Sequence, residues 1–392
     1  MSELNLTHSN GNTVKITPPD SLSGSVNFKL PSDHGTSGAF LHSDGSGALS
    51  FGQIAPSNRN KLINGSMKVF QRGTSEVRSG GNDGYYNGLA DRWAIRMHSS
   101  VAQTTFSKDT SNNPDGFGSN QKLVRANAGS SNAGKYFVYD TKLEGQDLQD
   151  FAKGTSGAKE FTLSFYIKTG VSGVYTCELR DLDNARLVVK QYTVSNGNWN
   201  RYTLTFPADT TGKFGNDNGA SLWVRFWLAA GTNFTSGSSQ TTWGSAVGAD
   251  VNICPGQTAQ VGDNTADTWQ ITGVQLEVGP VATSFEHLPY QVELQRCKRY
   301  YQTAAYTTLM GYIAGAVGTP KILFENEMRA TPSSVTTEYG GNGNGTFRNQ
   351  NDGSTLTGHT TFNYYINGFD CRGGSASLNI IYASTYIAEA EI

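Results

Sequence analysis

The sequence is poor in cysteine and has almost no excess of charge, and each shortage excludes a class of protein. Four cysteines occur among 392 residues, and no two of them are spaced as Cys-x-x-Cys. That density is too low for a disulfide framework, so buried free thiols formed in a reducing cytosol are expected. The 30 basic and 32 acidic residues give a net charge of −2 without a basic run, so a nucleic-acid-binding stripe is excluded.

Long hydrophobic runs are also missing. No segment approaches the roughly 18 to 20 consecutive apolar residues that cross a bilayer, so membrane insertion is not expected. The opening MSELNLTHSNGNTV has no charged segment followed by an apolar one, and no cleavable signal peptide is predicted. The sequence contains no long repeat of fixed period, which argues against solenoids and propellers.

Glycine and aromatic residues are abundant instead. The sequence contains 46 glycines, and Phe, Trp and Tyr together make up 11% of it. Glycine supplies the positive-φ positions of tight turns, while aromatic side chains fill the half-buried face of a sheet. This combination predicts an all-β protein, and a length of 392 residues suits two or three domains.

Residues 1–60 contain short strand patterns with little apolar mass. VKITPP, SVNFKLP and ALSFG alternate apolar and polar residues, and the stretches between them are rich in Gly, Ser and Asp. Such strands bury little surface alone, and copies of the same chain are their simplest partners. We therefore predict an N-terminal region of interwoven strands that is completed by sister chains.

Residues 61–288 contain longer strands with strict alternation. Four segments place apolar side chains on one face at a two-residue period, namely Phe161, Leu163, Phe165 and Ile167; Tyr202, Leu204 and Phe206; Leu222, Val224, Phe226 and Leu228; and Val274, Leu276 and Val278. Strands of this length, joined by loops rich in Gly, Asn and Ser, predict a two-sheet β-sandwich, with a jelly roll as the expected topology.

One short linking helix is predicted in PYQVELQRCKRYY, because Pro289 suits a first turn and Lys298 and Arg299 suit a last one. Residues 289–392 then return to strand patterns in ILFENEMRA, TFNYYINGFD and SASLNIIYASTYIAEAEI. These patterns predict a C-terminal, β-sandwich-like distal domain. The intervening EYGGNGNGTFRNQNDGSTLTGH is expected to form exposed loops.

Several segments resemble tail-fibre and related virion proteins of tailed bacteriophages. They are LINGSMKVFQRGTS with ADRWAI, ITGVQLEVGPVATSFEHLPYQVELQRCKRYYQ, FENEMRATPS and the opening KLPSDHGTSGAFLHSDGSGALSFG. The resemblance implies a carbohydrate-binding-module-like jelly roll and a homotrimer. It also implies that residues 1–60 attach to other tail or capsid proteins, and that residues 289–392 adsorb the virion to host surface polysaccharide. Synthesis in the host cytoplasm is expected.

Two groups of residues are candidates for glycan recognition, in which aromatic planes stack on sugar rings and polar groups bond the hydroxyls. In SLWVRFWLAAG, Trp223, Arg225 and Trp227 face away from the aliphatic side; alternatively that side is itself core, because exposed tryptophans are costly. The second group lies in distal Gly-rich segments and comprises Tyr339, Asn342, Asn344, Phe347, Arg348 and Asn349. Solvent-exposed turns are the alternative there.

No pattern singles out a catalytic or metal centre. The carboxylates available to a glycosidase include Asp181, Asp183, Glu277 and Glu286, but their spacing selects no pair. The six histidines are scattered and no GxSxG elbow is present. We therefore expect a binding protein without catalytic residues, cofactor or metal. The alternatives are a purely architectural virion protein, such as a capsid decoration or tail connector, and a polysaccharide depolymerase.

Overall fold

A computed structural model shows an all-β protein, as the sequence predicts. It describes residues 4–7, 9, 11–16, 21, 25, 27–32, 40–43, 48–52, 57–78, 84–98, 103–129, 132–195, 197–246, 253–309, 321–338, 345–349, 355–357, 360–372 and 382–392. The chain divides into two compact units, Met1–Ser57 and Asn58–Ile392.

The first unit contains two hairpins. Strand β1 (Leu4–Thr7) pairs with β2 (Thr13–Ile16), and β3 (Phe40–Ser43) pairs with β4 (Leu49–Gly52). In the second hairpin Leu41 lies directly opposite Phe51, so both side chains are on one face, where they are 50% and 38% exposed. None of the side chains described in this unit is buried. The unit therefore has no hydrophobic core among its described residues.

The second unit begins with thirteen strands, all antiparallel to their neighbours. They are β5 (Ser75–Arg78), β6 (Gly84–Asn87), β7 (Ala94–Met97), β8 (Thr104–Asp109), β9 (Asn120–Arg125), β10 (Tyr136–Glu144), β11 (Phe161–Thr169), β12 (Gly173–Asp181), β13 (Arg186–Val194), β14 (Asn200–Phe206), β15 (Ala220–Ala230), β16 (Gly244–Ser245) and β17 (Thr268–Val278). One sheet has the order β16-β13-β12-β15-β10-β7-β6 and the other β14-β11-β17-β9-β8-β5. The chain repeatedly crosses between the two sheets, as in a jelly roll.

The apolar faces predicted from alternation meet between these sheets. Phe165 of β11 lies 5.0 Å from Phe226 of β15, measured between ring centroids. The buried core also includes Phe161, Leu163, Ile167, Leu204, Phe206, Leu222, Val224, Leu228, Val274 and Leu276, with Tyr202 and Val278 packed against it. Apolar burial is the dominant favourable term in folding, so this interior stabilises the sandwich.

Three of the four cysteines have described side chains. Cys177, Cys254 and Cys297 are free and buried, as predicted. Burial raises the pKa of each thiol well above its ordinary value, so these side chains act as small hydrophobic groups. The side chain of Cys371 lies outside the described part of the structure.

The predicted linking helix is present as α2 (Tyr290–Lys298), immediately after Pro289. Two further short elements were not predicted, a single-turn helix α1 (Thr232–Thr235) and a 3-10 helix over Gly145–Phe151. The 3-10 helix begins at a glycine because a Cβ there would lie 2.2 Å from the carbonyl oxygen of Gly215. Among the described helices, none is long and apolar enough to cross a membrane.

The region after α2 forms two more sheets. Its strands are β18 (Tyr301–Leu309), β19 (Lys321–Leu323), β20 (Ser334–Glu338), β21 (Phe347–Asn349), β22 (Thr355–Leu356), β23 (Thr360–Tyr365), β24 (Gly368–Arg372) and β25 (Tyr382–Glu389). One sheet has the order β18-β25-β21-β22, with β20 also paired to β25, and the other has the order β19-β24-β23. Phe324, Phe369 and Tyr386 pack together with centroid distances of 5.6 to 5.9 Å, which gives the predicted sandwich-like arrangement.

Two strand predictions in this region are wrong in detail. ILFENEMRA is a strand only at its first residues, in β19, because the chain then turns to bury both Phe324 and Met328. TFNYYINGFD forms the hairpin of β23 and β24 rather than one strand. Its turn consists of Ile366 and Asn367, and Gly368 begins β24, where a Cβ would lie 2.2 Å from the carbonyl oxygen of Ile322 in β19.

The residues on both sides of the predicted boundary at position 288 belong to the second compact unit. Arg299 donates two hydrogen bonds to Glu144, and Arg72 and Arg92 form ion pairs with Glu391. These contacts join the sandwich to the strands that follow α2. Separate domains at 61–288 and 289–392 therefore stay a prediction, and polar contacts cross the boundary.

Three segments singled out in the sequence, 62–75, 90–95 and 271–302, meet at the buried residue Asn64. Its side-chain oxygen accepts bonds from the N–H groups of Lys68 and Val69, both at 3.0 Å, and its amide nitrogen donates to the carbonyl of Asp91 at 3.0 Å. Its own backbone N–H donates to Glu293 of α2 at 2.6 Å. Asn64 therefore has a structural role.

Candidate functional site

Three adjacent strands of the seven-stranded sheet, β12, β15 and β10, carry three rows of side chains on the face turned away from the core. The strand register aligns Thr176, Trp227 and Val138 in a first row, Glu178, Arg225 and Asp140 in a second, and Arg180, Trp223 and Lys142 in a third. We call these nine residues the outer face. It contains all three residues predicted for this strand.

The first row is covered by protein. Trp227 is 1% exposed, and its ring lies 5.2 Å from that of Phe234 in α1, between centroids. It belongs to a second apolar cluster together with Val138 and Cys254. The ring of Trp227 is therefore not accessible to a sugar. For Trp227 the structure therefore agrees with the alternative considered from the sequence, in which this side of the strand is core.

The second row is a chain of buried ion pairs. Glu178 accepts hydrogen bonds from Arg225 at 2.9 Å, from the indole N–H of Trp227 at 2.9 Å and from Arg180 at 2.6 Å. Asp140 accepts one from Arg96 of the neighbouring strand β7 at 3.0 Å. The row is therefore fixed by charge-assisted hydrogen bonds, which are about twice as strong as neutral ones.

Burial acts to raise the pKa of both carboxylates, but neighbouring groups outweigh it in only one of them. It alone would raise the pKa of Glu178, but the charges of Arg225 and Arg180 and the hydrogen bonds from Trp227 and Arg180 bring that pKa below its ordinary value. Burial raises the pKa of Asp140, although the charges of Arg96 and Arg225 oppose it. Glu178 is thus the more firmly ionised of the two.

The third row remains partly open to solvent. The Trp223 side chain is half-buried, and the guanidinium carbons of Arg96 and Arg225 each lie 4.2 Å from its ring centroid. The ammonium nitrogen of Lys142 lies 5.4 Å from the same centroid. These contacts occupy ring surface on which a sugar would stack, so Trp223 holds cations in place.

The distal group is only partly described. Tyr339, Asn342 and Asn344 lie outside the described residues. Phe347, Arg348 and Asn349 form β21, which pairs with β22 and β25, so their backbone is a strand and not the loop that was predicted. The reason is that β25 offers an unpaired edge beyond its ladder with β20. A binding role for the distal group stays a prediction.

The carboxylates considered for hydrolysis all bond to nearby protein groups. Asp181 accepts a bond from Lys153, Asp183 from the N–H of Gly215, Glu277 from Thr283, and Glu286 from the N–H groups of Asn58 and Asn60. Within the described ranges, no group of three or more His, Cys, Asp or Glu side chains is placed to hold a metal ion. All four carboxylates are therefore held in place by hydrogen bonds to the protein around them.

Sequence reasoning missed five residues that build this site: Arg96, Asp140, Lys142, Glu178 and Arg180. A signal for four of them was present, because Asp140 and Lys142 are two residues apart, as are Glu178 and Arg180. In a strand that spacing places both charges on one face. Finding this pattern beside Trp223 and Arg225 could have indicated one charged sheet surface.

No protein-family model matches the sequence, and no curated protein matches it. Several solved structures share a limited likeness. An enzymatically active domain of tailspike protein 4 of bacteriophage CBA120 is 11% identical, with a TM-score of 0.28, over 58% of this chain and 22% of that one. A family 11 carbohydrate-binding module from Clostridium thermocellum is 9% identical over 59% and 100% of the two chains, with a TM-score of 0.25. A cyclase from Fischerella is 12% identical over 57% and 97%, with a TM-score of 0.29. These scores are too low to bear on function.

Proposed function

We propose that this protein is a subunit of a homotrimeric virion fibre that adsorbs a phage particle to glycans on the host surface. The observation that carries the proposal is the outer face, where a half-buried tryptophan lies among arginine and lysine side chains on a rigid sheet. Binding groups held on strands by packing and ion pairs are pre-organised, and this lowers the entropic cost of binding.

Self-association is supported by the first unit. Leu41 and Phe51 are half-exposed on one face of a hairpin, and Phe28 and Leu30 are 64% and 74% exposed. A hairpin with an exposed apolar face is only marginally stable on its own. In the proposed fibre, these side chains pack against those of two sister chains. The same residues 1–60 would join the subunit to other tail or capsid proteins.

Adsorption in this proposal relies on several weak contacts. A glycan site on a sheet surface binds weakly, but three copies in one fibre raise the avidity without any new contact. The distal residues Tyr339, Asn342, Asn344, Phe347, Arg348 and Asn349 are proposed as a second contact region of the same fibre. The proposal includes no covalent step, because each of the four carboxylates considered for hydrolysis is hydrogen-bonded to a neighbouring protein group.

The proposal can be tested by measuring the binding of the purified full chain to immobilised bacterial surface polysaccharides. We expect Trp223→Ala to weaken binding about tenfold, or ~1.4 kcal/mol, because the ring no longer holds Arg96 and Arg225. Trp199→Ala is a matched control, because Trp199 is also partly exposed but lies outside the outer face, directly before β14 and beside Asn112. Its binding should equal that of the parent chain.

Two results would contradict the proposal in favour of its rivals. A chain that self-associates but binds none of the polysaccharides would be architectural. New reducing ends after incubation with a polysaccharide would identify a depolymerase. Thermal unfolding of both tryptophan variants establishes that a loss of binding is not a loss of the fold.

A further inference from the structure

A surface cavity lies at the end of the sandwich where β15 ends and β10 begins. Its volume is about 410 Å³, which is near the lower end of the range for small-molecule sites. The described residues that line it belong to segments 132–135, 230–235 and 257–263. We call it the end cavity. It includes no residue of the outer face, so it is a separate candidate site.

The segments that form the end cavity are tied to one another. The backbone N–H of Gly231 donates to the carbonyl of Lys135 at 2.7 Å. A Cβ at position 231 would lie 2.3 Å from the carbonyl oxygen of Asn132, so only glycine permits this close approach. The side chain of Gln260 bonds to the N–H and the carbonyl of Ala230, at 3.2 and 2.8 Å. The walls are therefore pre-organised for a ligand.

A buried lysine supplies hydrogen-bond donors to the end cavity. The side chain of Lys135 is 3% exposed, and its ammonium group forms an ion pair with Asp263, whose side chain is 34% exposed. Within the described part of the chain, Asp263 is the only acceptor for this ammonium group, although an ammonium carries more than one donor. The two charges compensate each other, so the pair offers donors and acceptors without a net charge.

A buried amide supplies an acceptor. Gln257 is 7% exposed, and its amide nitrogen donates to the carbonyls of Trp227 and Ala259, both at 3.2 Å. These two carbonyls fix the orientation of the amide, because an oxygen in the same place would face two acceptors. The amide oxygen accepts no hydrogen bond from any described residue. A buried acceptor without a donor is unfavourable, so this oxygen favours a ligand that brings a hydroxyl group.

The rim of the end cavity is also polar. Thr232 and Thr235 of α1 line it, and no aromatic residue is among the described residues that do so. Recognition at this site therefore depends on hydrogen bonds and not on stacking. A molecule with a hydroxyl group on most of its carbon atoms satisfies more of these polar groups than an apolar one does.

We propose that the end cavity binds a neutral sugar unit, whose hydroxyl groups bond to Lys135, Asp263 and Gln257. This inference rests on the proposed glycan-binding function and adds to it a second site and the class of sugar. A uronic acid would have to compete with Asp263 for Lys135, and an amino sugar would have to compete with Lys135 for Asp263. Hydroxyl groups bond to both partners without separating them.

The test compares neutral, acidic and amino forms of the same sugars by saturation-transfer NMR with the full chain. The probes are the methyl glycosides of glucose, galactose and mannose, of the corresponding uronic acids and of the corresponding amino sugars. We expect at least one neutral glycoside to bind about tenfold more tightly than its acidic and amino forms.

Two tryptophan variants locate the site. Thr232→Trp places a large side chain at the end cavity, so we expect it to abolish binding of the neutral glycoside. Asn233→Trp is the matched control, because Asn233 is the next exposed residue of α1 but does not line the cavity. Its binding should equal that of the parent chain. If Thr232→Trp also binds as the parent does, the glycoside binds elsewhere and the proposal is overturned.

A third variant tests the charge pair without filling the cavity, and so remains informative if Thr232→Trp does not fold. Asp263→Asn leaves the ammonium group of Lys135 without its described partner. We therefore expect the neutral glycoside to bind several-fold more weakly and its uronic acid to bind several-fold more tightly. If both affinities fall together, Asp263 has only a structural role and the assignment is wrong.

The possible failures are distinguishable. If polysaccharides bind the chain but none of the glycosides does, this inference is wrong and the proposed function stands. The same conclusion follows if an acidic or amino form binds as tightly as the neutral one. If neither a polysaccharide nor a glycoside binds, both this inference and the proposed function are wrong.

Discussion

Lys153 is a single residue on which one end of the sandwich depends. Its ammonium group is completely buried and donates to Asp181 at 2.5 Å and to the carbonyls of Thr211 and Gly212 at 3.1 and 2.9 Å. It also forms an ion pair with Asp209 at 3.0 Å. This cation therefore lies between two carboxylates that contact little or no solvent, and because Asp209 is also paired with Arg186, Asp181 is the carboxylate that depends more on Lys153.

We predict that Lys153→Met lowers the free energy of unfolding by about 3–5 kcal/mol, because removing one partner leaves buried charge uncompensated. Chemical denaturation monitored by tryptophan fluorescence measures this. Lys159→Met is the control, because Lys159 is exposed, and its unfolding midpoint should be unchanged. A midpoint for Lys153→Met equal to that of the control would show that the carboxylates find compensation elsewhere.

The two tryptophans of β15 show what single-residue reasoning can and cannot establish. Alternation correctly placed Trp223, Arg225 and Trp227 on the same face of one strand. It could not predict that Trp227 is covered and Trp223 is not. That difference depends on α1 and the neighbouring loop, which cover the row of Trp227, whereas the row of Trp223 remains partly open to solvent.

At the scale of elements, the two residues that directly follow α2 are held to the sandwich by the carboxylate of Glu144. Glu144 at the end of β10 accepts bonds from Arg299 at 3.0 and 2.9 Å and from the hydroxyl of Tyr300 at 2.6 Å. Burial would raise the pKa of Glu144, but the hydrogen bonds from Arg299 and Tyr300 and the charge of Arg299 bring it below its ordinary value.

The lowered pKa of Glu144 determines how the stability of the fold depends on pH. A carboxyl whose pKa is lower in the folded state stabilises the fold at every pH above its unfolded pKa, and loses that contribution as the pH falls through the folded pKa. We therefore predict that unfolding free energy declines below about pH 4.5, the ordinary Glu value, and that Glu144→Gln flattens this decline while reducing stability near neutral pH. Urea unfolding between pH 3 and 7 measures both effects. Glu327→Gln, at an exposed position, should show the same pH dependence of the unfolding free energy as the parent chain. If Glu144→Gln loses stability at acid pH as steeply as the parent chain, the prediction is wrong.

Strands in which apolar and polar residues alternate strictly were predictable from the sequence, whereas irregular segments were not. The apolar faces of β11, β14, β15 and β17 could be assigned from a two-residue period, because one side of each strand is buried in the core. In the C-terminal region the buried Phe324 and Met328 lie in a turn, where no period exists to reveal them. The pairing of distant strands depends on packing that no local pattern reports.

At the scale of the whole molecule, the two compact units differ in how they are stabilised. The second unit contains an interdigitated aromatic and aliphatic core, whereas the described part of the first has exposed apolar side chains and no buried one. Sequence reasoning predicted this contrast from the small apolar mass of residues 1–60. The number of chains that join there is a property of the assembly and stays a prediction.

We predict that the full chain has three times the chain mass in solution, and that the double variant Leu41→Ser, Phe51→Ser shifts it towards single chains. Light scattering coupled to gel filtration measures the mass. Val77→Ser is the control, because Val77 is similarly exposed, at 53%, but lies in the second unit. The prediction fails if the parent chain is monomeric, or if the control dissociates as readily as the double variant.

The ion pairs that join Arg72 and Arg92 to Glu391 have a kinetic consequence. They connect residues separated by 319 and 299 positions, and Arg72 also reaches Glu389 across 317. Contacts between such remote residues require large loops to close, which slows folding. We therefore expect these ion pairs to form only after residue 391 has been synthesised, so that they close the fold at its end and do not guide the folding of a shorter nascent chain.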